Sequence, residues 1–280
     1  MDHQIGAFIA RKRRELGYTQ RQLAERLHLS CQAVSKWESG VTAPDIALLP
    51  QLAAILHTTV DALVGYHPAS TTHYEEKYRA QEYYWGLVPN VLCYDIMRLK
   101  PPIKPFRVLD IGCGEGKDAV FLAKNGYQVS AFDLAENGLD KARRLAEQHR
   151  VDIHFFKADV NDYQPDGEFD IVFSSGVLHY VRPERRKPLF DSLKSATAAG
   201  GLHALNVFVY KPFLPEAPDL EEAERAIPPW HSGELNGYYA DWLFHKSTET
   251  IFDCQSAGIL HKHCMDVLIA EKCSDPRRSL

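Results

Sequence analysis

Three glycines at alternate positions, Gly112-Cys113-Gly114-Glu115-Gly116, directly follow the apolar run 107–111 and precede a helical pattern over 117–125. A loop of this kind lets backbone approach a ligand closely and presents N–H groups at a helix N-terminus. Asp133 stands 23 residues after Asp110, at the end of the next apolar run, where a carboxylate can take both hydroxyls of a ribose. Loop and carboxylate together point to a nucleoside-bearing ligand. His179 and Tyr180 come just after another apolar run, 169–174, and are candidates for a substrate wall or for plain packing. Farther on, two strand-like stretches, 250–256 and 261–272, turn at Ala257-Gly258. A tight turn there sets Cys254 opposite His261, with His263 on the same face and Cys264 on the other. Three soft ligands on one face can hold zinc or catch a soft metalloid; they can equally just fill the sheet surface, since no tetrahedral spacing signature accompanies them.

The elements that must position these groups alternate. A strand over 107–111 is followed by a helix at 117–125, a strand at 128–132, a helix at 137–149, strands at 152–156 and 169–174, a helix at 183–198 and a strand at 202–209. This order predicts an α/β fold, a doubly wound parallel sheet in which ligands bind beyond the carboxyl ends of the strands. An aromatic helical lead-in, Tyr74, Tyr78, Tyr83, Tyr84 and Trp85, comes before the first strand. The polar, proline-marked stretch 67–73 separates this domain, 74–280, from a small all-α domain, 1–66.

In the small domain Ile5, Phe8, Ile9 and Leu16 recur at helical spacing, Thr19 can cap a second helix holding Leu23, Ala24 and Leu27, and Ser30 can cap a third over 31–38. In that third helix Val34 and Trp37 point inward while Gln32, Ser35 and Lys36 share the outer face. A fourth helix over 45–56 and a fifth turn over 61–64 complete the unit. Seven Lys/Arg against six Asp/Glu in 1–66 give only a slight basic excess, concentrated in Arg11-Lys12-Arg13-Arg14, in a chain of net charge −5. Charge alone does not establish nucleic-acid binding.

The segments Tyr18-Thr19-Gln20-Arg21-Gln22-Leu23-Ala24 and Val34-Ser35-Lys36-Trp37-Glu38-Ser39-Gly40 resemble the Cro-like, xenobiotic-response-element family of helix-turn-helix domains. The resemblance implies DNA as a partner, bound as a dimer on a two-fold site. Gln32, Ser35 and Lys36 would reach into the major groove, Gln20 would bond a backbone phosphate, and Arg13 would add no more than a non-specific contact. The alternative is a helical bundle used for protein contacts.

Val108-Leu109-Asp110-Ile111-Gly112-Cys113-Gly114-Glu115-Gly116 looks like the first motif of the Rossmann-like S-adenosylmethionine methyltransferases. Asp133-Leu134, Ala158-Asp159-Val160 and 169–174, ending in Ser174, match the later motifs in order and spacing. S-adenosylmethionine is the cofactor so implied, with Asp110, Gly112, Cys113, Gly114 and Gly116 facing its methionine part. Asp133 and Leu134 then face the ribose, Asp159 and Val160 flank the adenine, and Ser174 completes the set. An NAD-type site fits the glycine spacing and the Asp159 motif poorly.

The stretch 211–237, with five prolines and an acidic run at 219–224, belongs to no strand-helix repeat and reads as a lid. Together with Asn125-Gly126-Tyr127, its end at Gly233-Glu234-Leu235 and the following Tyr238-Tyr239 and Trp242 are similar to the tellurite-resistance methyltransferases, which act on tellurium or selenium oxyanions and related soft nucleophiles. That family carries arginines in and after the tyrosine-tryptophan stretch; here Gly237 and Phe244 stand there, with His245 and Lys246 next. Tyr83, Tyr84, Trp85, Tyr238, Tyr239 and His245 are the expected substrate or lid residues, and His179 with Tyr180 the expected catalytic wall. A transcription regulator that only senses S-adenosylmethionine, and a methyltransferase for a small thiol or natural product, are the other readings. Without an apolar run of membrane length or the basic and apolar segments of a secretory signal at Met1-Asp2-His3-Gln4, no membrane contact and a cytoplasmic place are expected.

Overall fold

The computed structural model describes residues 2–58, 60–63, 72–215, 227–254 and 259–273. The chain divides into two compact units, Met1–Ser70 and Thr71–Leu280. The expected turn at Ala257-Gly258, the acidic run 219–224 and most of the expected linker lie outside the described residues.

The first unit is helical: α1 (Asp2–Glu15), α2 (Gln20–Arg26), α3 (Cys31–Glu38), a 3₁₀ turn (Ile46–Leu48), α4 (Leu49–Ile55) and α5 (Val60–Leu63). The caps are those the sequence predicts. Thr19 and Gln22 form a reciprocal capping box, and Ser30 accepts from the Ala33 amide, so the first turns of α2 and α3 have partners for otherwise orphaned N–H groups. Ile9, Leu23, Val34, Trp37, Leu52 and Leu56 fill the core. Helices α1 and α3 approach so closely that Gly6 sits against the Trp37 carbonyl and leaves no room for a Cβ.

The second unit begins with α6 (Tyr74–Lys77) and α7 (Val91–Leu99). Then come β1 (Arg107–Ile111), α8 (Lys117–Lys124), β2 (Gln128–Asp133), α9 (Glu136–His149), β3 (Ile153–Lys157), β4 (Phe169–Ser174), α10 (Pro183–Ser195) and β5 (Thr197–Phe208). A long hairpin, β6 (Leu243–Cys254) and β7 (His261–Glu271), ends the described chain. The sheet order is β3-β2-β1-β4-β5-β7-β6, with β1 to β5 parallel and β7 antiparallel to both neighbours. Strands β1 and β4 are buried on both faces, as central parallel strands require, whereas β6 is exposed along most of its length, as befits an edge.

Register decides what stands at each end of this sheet. Leu202 pairs with Glu271 and Phe208 with Met265, so β7 runs past the carboxyl end of β5 from Met265 back to His261. Leu243 also pairs with Glu271, which puts the start of β6 at the amino edge, while Cys254 pairs with His261 at the carboxyl edge. The hairpin strand is longer than the sequence predicts, because its exposed first half shows no alternation of burial.

The segment expected as a lid is held at its described flanks. Trp230 is buried, with the Arg186 guanidinium over its ring at 4.3 Å, and its carbonyl accepts from the Tyr210 amide at 2.8 Å. Arg186 also donates to the Pro228 carbonyl (2.5 Å) and the Glu234 carboxylate (2.8 Å), and the Gly233 amide donates to Asp266 (2.7 Å). The described flanks of 211–237 are thus anchored on the sheet and on α10.

Candidate functional site

The glycine loop turns sharply out of β1 at the carboxyl edge. Gly114 has φ +52, and its N–H donates to Asp133 Oδ2 at 2.8 Å, while Ala135 N–H donates to Asp133 Oδ1 at 2.8 Å. Gly116, at φ +83, caps α8 and lies where any Cβ would strike Ala142 of α9. Asp133 thus ties the loop to the end of β2. Burial pushes its carboxyl up, against the pull of the backbone N–H groups.

Asp110 lies beneath this loop, 1% exposed, and its Oδ2 is buried without a hydrogen-bond partner. Burial, with Asp118 and Asp133 adding to it and Lys117 opposing, holds its carboxyl well above the usual range. Such a group is stabilised by a cation brought to it. Lys117 and Lys141 are paired inside the fold, with Asp118 (2.8 Å) and Glu115 (2.6 Å). The loop is therefore acidic where a dinucleotide site needs donors for a pyrophosphate, and S-adenosylmethionine, with an ammonium and a sulfonium, fits this donor set.

The aromatic lead-in covers the loop. Tyr78 is buried, its hydroxyl lies beside Gly114, and it accepts from Trp85 Nε1 at 3.1 Å. The Trp85 amide donates to Glu115 at 3.3 Å, which anchors the segment. Tyr74 stacks on Tyr78 (5.4 Å) and meets Tyr180 edge-on (6.5 Å), so the lead-in spans from the glycine loop to the turn after β4. Tyr84 and Trp85 belong to this cluster. Tyr83 does not: its ring turns to Val120 and Leu145, with Lys141 over it at 5.2 Å.

The wall itself follows β4. The His179 ring meets Tyr180 at 4.1 Å and Phe208 at 4.6 Å, with Nδ1 buried and unpartnered. Burial, then the nearby His263 and His73, pushes its pKa down to about 3, so the imidazole is neutral. A polar network that the motifs gave no sign of holds the adjoining turn: Asn206 accepts from the Gly176 amide (2.8 Å), and Ser175 Oγ accepts from Asn90 and Asn206 (2.8 and 3.0 Å). Its members come from three separate parts of the chain, and only folding joins them.

Other expected residues are placed differently from their sequence reading. Ser174 donates to the Ile111 carbonyl at 3.1 Å, fully buried, so its hydroxyl joins two strands instead of facing a ligand. Val160 packs its side chain in the core, while Asp159 accepts from the Asn161 amide at 2.8 Å and Leu134 is half-buried beside the loop. Cys113 is buried within the loop, where burial raises its thiol. Tyr239 is completely buried, with its hydroxyl 2.7 Å from His203 Nδ1, and Tyr238 stacks on Phe190 at 4.7 Å. His245 pairs with Glu271 (2.7 Å) at the amino edge, and Lys246 with Asp95 (2.8 Å). None of these last four stands at the edge where the loop opens, because antiparallel pairing fixes the start of β6 at the opposite end.

At the carboxyl edge the hairpin brings Cys254, His261 and His263 together, one possible ligand atom from each, all within 4.8 Å of one another.

In the first unit Gln32, Ser35 and Lys36 are exposed on the outer face of α3. Gln20 and Arg13 are hydrogen-bonded within the unit. Arg13 is buried and bidentate to Glu38 (2.6 and 2.9 Å), and also donates to the Tyr18 carbonyl. Gln20 Nε2 donates to the same carboxylate at 2.9 Å. Burial pushes Glu38 up, but the hydrogen bonds from Arg13 and Gln20 and the Arg13 charge outweigh it and hold its carboxyl below the usual range.

Two segments of the chain match known families. Residues 108–201 match the family described as a methyltransferase domain, and residues 9–63 match a helix-turn-helix family. The chain thus joins a segment that matches helix-turn-helix domains to one that matches methyltransferase domains. It is similar to a probable S-adenosyl-L-methionine-dependent methyltransferase, TehB, of Haemophilus influenzae strain Rd, 23% identical over 74% of this chain and 65% of that protein. Against TehB of strain 10810 it is 25% identical, over 60% of this chain and 54% of that protein. The chain thus spans between half and two thirds of the length of these curated relatives. The crystal structure of TehB from Haemophilus influenzae superposes with a TM-score of 0.58 at 23% identity, over 71% of this chain and 66% of that one. A structure described as converting a disulfide bond into a thioacetal group during echinomycin biosynthesis gives a TM-score of 0.54 at 20% identity, over 72% and 92%. These likenesses show the fold. No described helix is long and apolar enough to cross a membrane.

Proposed function

We propose that the second unit transfers a methyl group from S-adenosylmethionine to a soft, small nucleophile of the thiol, selenite or tellurite kind, and that the first unit binds DNA as a regulatory module. The observation that carries the acceptor class is His179. The wall offers a neutral imidazole whose proton affinity burial has lowered to a pKa of about 3, which makes it a poor general base. An acceptor that needs deprotonating is badly served there; one that arrives with a free, polarisable lone pair needs only to be positioned. When bound, the cofactor supplies an electrophilic methyl on a sulfonium. The residues of this chain then have three tasks: Asp110 and Asp133 seat the cationic and hydroxyl groups, the aromatic lead-in excludes water, and His179 with Tyr180 holds the acceptor in line at about 3 to 3.5 Å. No arginine occupies the tyrosine-tryptophan stretch, and His245 and Lys246 are at the far edge, so that stretch gives an oxyanion no cationic clamp, while a thiol acceptor has to arrive already ionised. The names of the curated relatives, probable S-adenosyl-L-methionine-dependent methyltransferases, support methyl transfer and its cofactor.

The test is incubation of the full chain with methyl-labelled S-adenosylmethionine and a panel of tellurite, selenite and small thiols, with trapping of volatile label. Label in at least one volatile product, lost in Asp133→Ala, is expected. Calorimetric binding of the cofactor with no label transferred would instead identify the regulator that only senses it. Selection of genomic fragments on the purified protein tests the DNA module, and enrichment of no sequence would make α3 a protein-contact surface.

A further inference from the structure

We propose that Cys254, His261 and His263 form a binding site for a borderline-soft divalent cation of the zinc class, with one coordination position open beside the acceptor wall.

The site is built by sheet register. Cys254 and His261 are direct cross-strand partners, and His263, two residues on, faces the same way. Their candidate ligand atoms lie within 4.8 Å of one another. Bonds of about 2.0 to 2.3 Å from a tetrahedral zinc would set nitrogen and sulfur ligands roughly 3.3 to 3.7 Å apart, so closure asks for side-chain rotation and no change of register. His261 Nδ1 is 2.8 Å from the Ile259 carbonyl, which can only accept, so the ring proton is on Nδ1 and Nε2 carries the lone pair. The outer-shell bond that a metal-bound histidine needs is therefore already made. His261 Nε2 in turn lies 2.9 Å from His263 Nε2, so His263 is the donor of that pair. A divalent cation replaces this shared proton: the Cys254 thiol proton leaves to solvent, the His263 ring proton moves to its other nitrogen, and both imidazoles stay neutral.

A thiolate and two imidazoles are the donor set of zinc and its neighbours, and three protein ligands leave a tetrahedral site open, as in catalytic rather than structural zinc. The His263 ring stacks on Phe208 at 4.6 Å, and the same Phe208 touches His179 at 4.6 Å, so one aromatic ring separates the cluster from the wall. An open position there would hold a thiolate at the carboxyl edge of the sheet. This last step rests on the soft-acceptor reading; the metal site does not.

The experiment uses the full chain purified without an affinity tag. Zinc content by elemental analysis and cobalt(II) titration followed in the visible and near ultraviolet are measured on wild type, Cys254→Ser, His263→Gln and, as a control for a cysteine outside the site, Cys31→Ser. About one metal per chain is expected, with tetrahedral cobalt bands and a thiolate charge-transfer band. Both are retained in Cys31→Ser; the charge-transfer band is lost in Cys254→Ser, and affinity falls at least tenfold in both site variants. A wild type that takes up no cobalt, or a Cys254→Ser chain with unchanged cobalt affinity and spectrum, overturns the site and leaves the methyl-transfer assay untouched. Adding 2-mercaptoethanol to the cobalt form should intensify the charge-transfer band. A cobalt-loaded protein whose spectrum ignores the thiol overturns the open acceptor position alone.

Discussion

The two ends of one sheet treat histidine in opposite ways. At the amino edge His203 is fully buried with both nitrogens satisfied, Nε2 at 2.7 Å from Thr197 Oγ1 and Nδ1 at 2.7 Å from Tyr239 Oη, and Trp242 meets its ring edge-on. At the carboxyl edge His179 keeps a buried nitrogen without a partner, and His261 and His263 face each other across a single proton. Completed hydrogen bonding suits the His203 cluster to packing, while the polar atoms left over at the carboxyl edge are ones the proposed methyl-transfer and metal sites would use. The first unit divides in the same manner. Arg13, Gln20 and Glu38 spend their hydrogen bonds on one another, and Gln32, Ser35 and Lys36 point outward.

The sharpest break of this division is Arg13→Ala. It strands the mostly buried Glu38 carboxylate, and should cost about 3 kcal/mol of stability in the first unit, the low end for a broken buried pair. Denaturant unfolding followed at Trp37 reads it. A loss of DNA affinity with unchanged stability would instead return Arg13 to the phosphate-contacting role that the basic run suggests. At the carboxyl edge, Asp133→Ala removes the anchor of the Gly114 amide and, with it, the proposed ribose acceptor. Cofactor affinity by calorimetry should fall ten- to a hundredfold, about 1.4 to 2.7 kcal/mol. Unchanged affinity would remove Asp133 from the site.

The amino edge should behave the other way. Tyr239→Phe leaves a buried His203 nitrogen without its partner and should cost about 1 to 2 kcal/mol of stability while cofactor affinity stays unchanged. A change in cofactor affinity or methyl transfer would erase the contrast between the edges. Acid sharpens it further. Burial, with Lys194 and Lys272 adding to it, pushes His203 down to about 3, and His179 likewise lies at about 3. Both stay neutral in the fold while the unfolded chain protonates them near pH 6.5, so their contribution is fully present above that pH and is lost as pH falls from about 6.5 toward 3. Each group can add a slope of up to about 1.4 kcal/mol per pH unit. Urea midpoints between pH 7.5 and 5 should decline, and His203→Gln should flatten the decline.

Local chemistry was legible before folding, and long-range pairing was not. The caps at Thr19 and Ser30, the alternation of strand and helix, the glycine loop with Asp133, and the pairing of Cys254 with His261 all depend on near neighbours in sequence or on a short turn. Arg13 read as at most a non-specific contact because Glu38, which holds it, is 25 residues away. Tyr239 and His245 read as substrate or lid residues because aromatic and imidazole groups look alike wherever the sheet puts them; their partners, His203 and Glu271, are 36 and 26 residues distant. The network of Asn90, Ser175 and Asn206 carries no motif at all, since its spacing exists only in the folded sheet.

The smallest expected effect belongs to the outward face of α3, and it tests whether leftover polar groups mark function in the first unit as they do in the second. Lys36 is exposed at the last turn of α3, and its replacement should leave the fold intact. If that face enters the major groove and Lys36 neutralises one phosphate, Lys36→Ala should weaken binding of every sequence by a similar, small factor and reduce the slope of log affinity against log salt by about 1. Gln32→Ala, on the same face, should leave the salt slope alone and relax preference at one base position, because an amide carries no charge but can pair with a base edge. Fluorescence anisotropy over a salt series, on a selected site and on a scrambled one, separates the two outcomes. Equal salt slopes for wild type and Lys36→Ala would mean that the exposed face of α3 does not meet DNA, and that exposure there, unlike the unpaired atoms at the carboxyl edge, signals nothing more than a solvated helix.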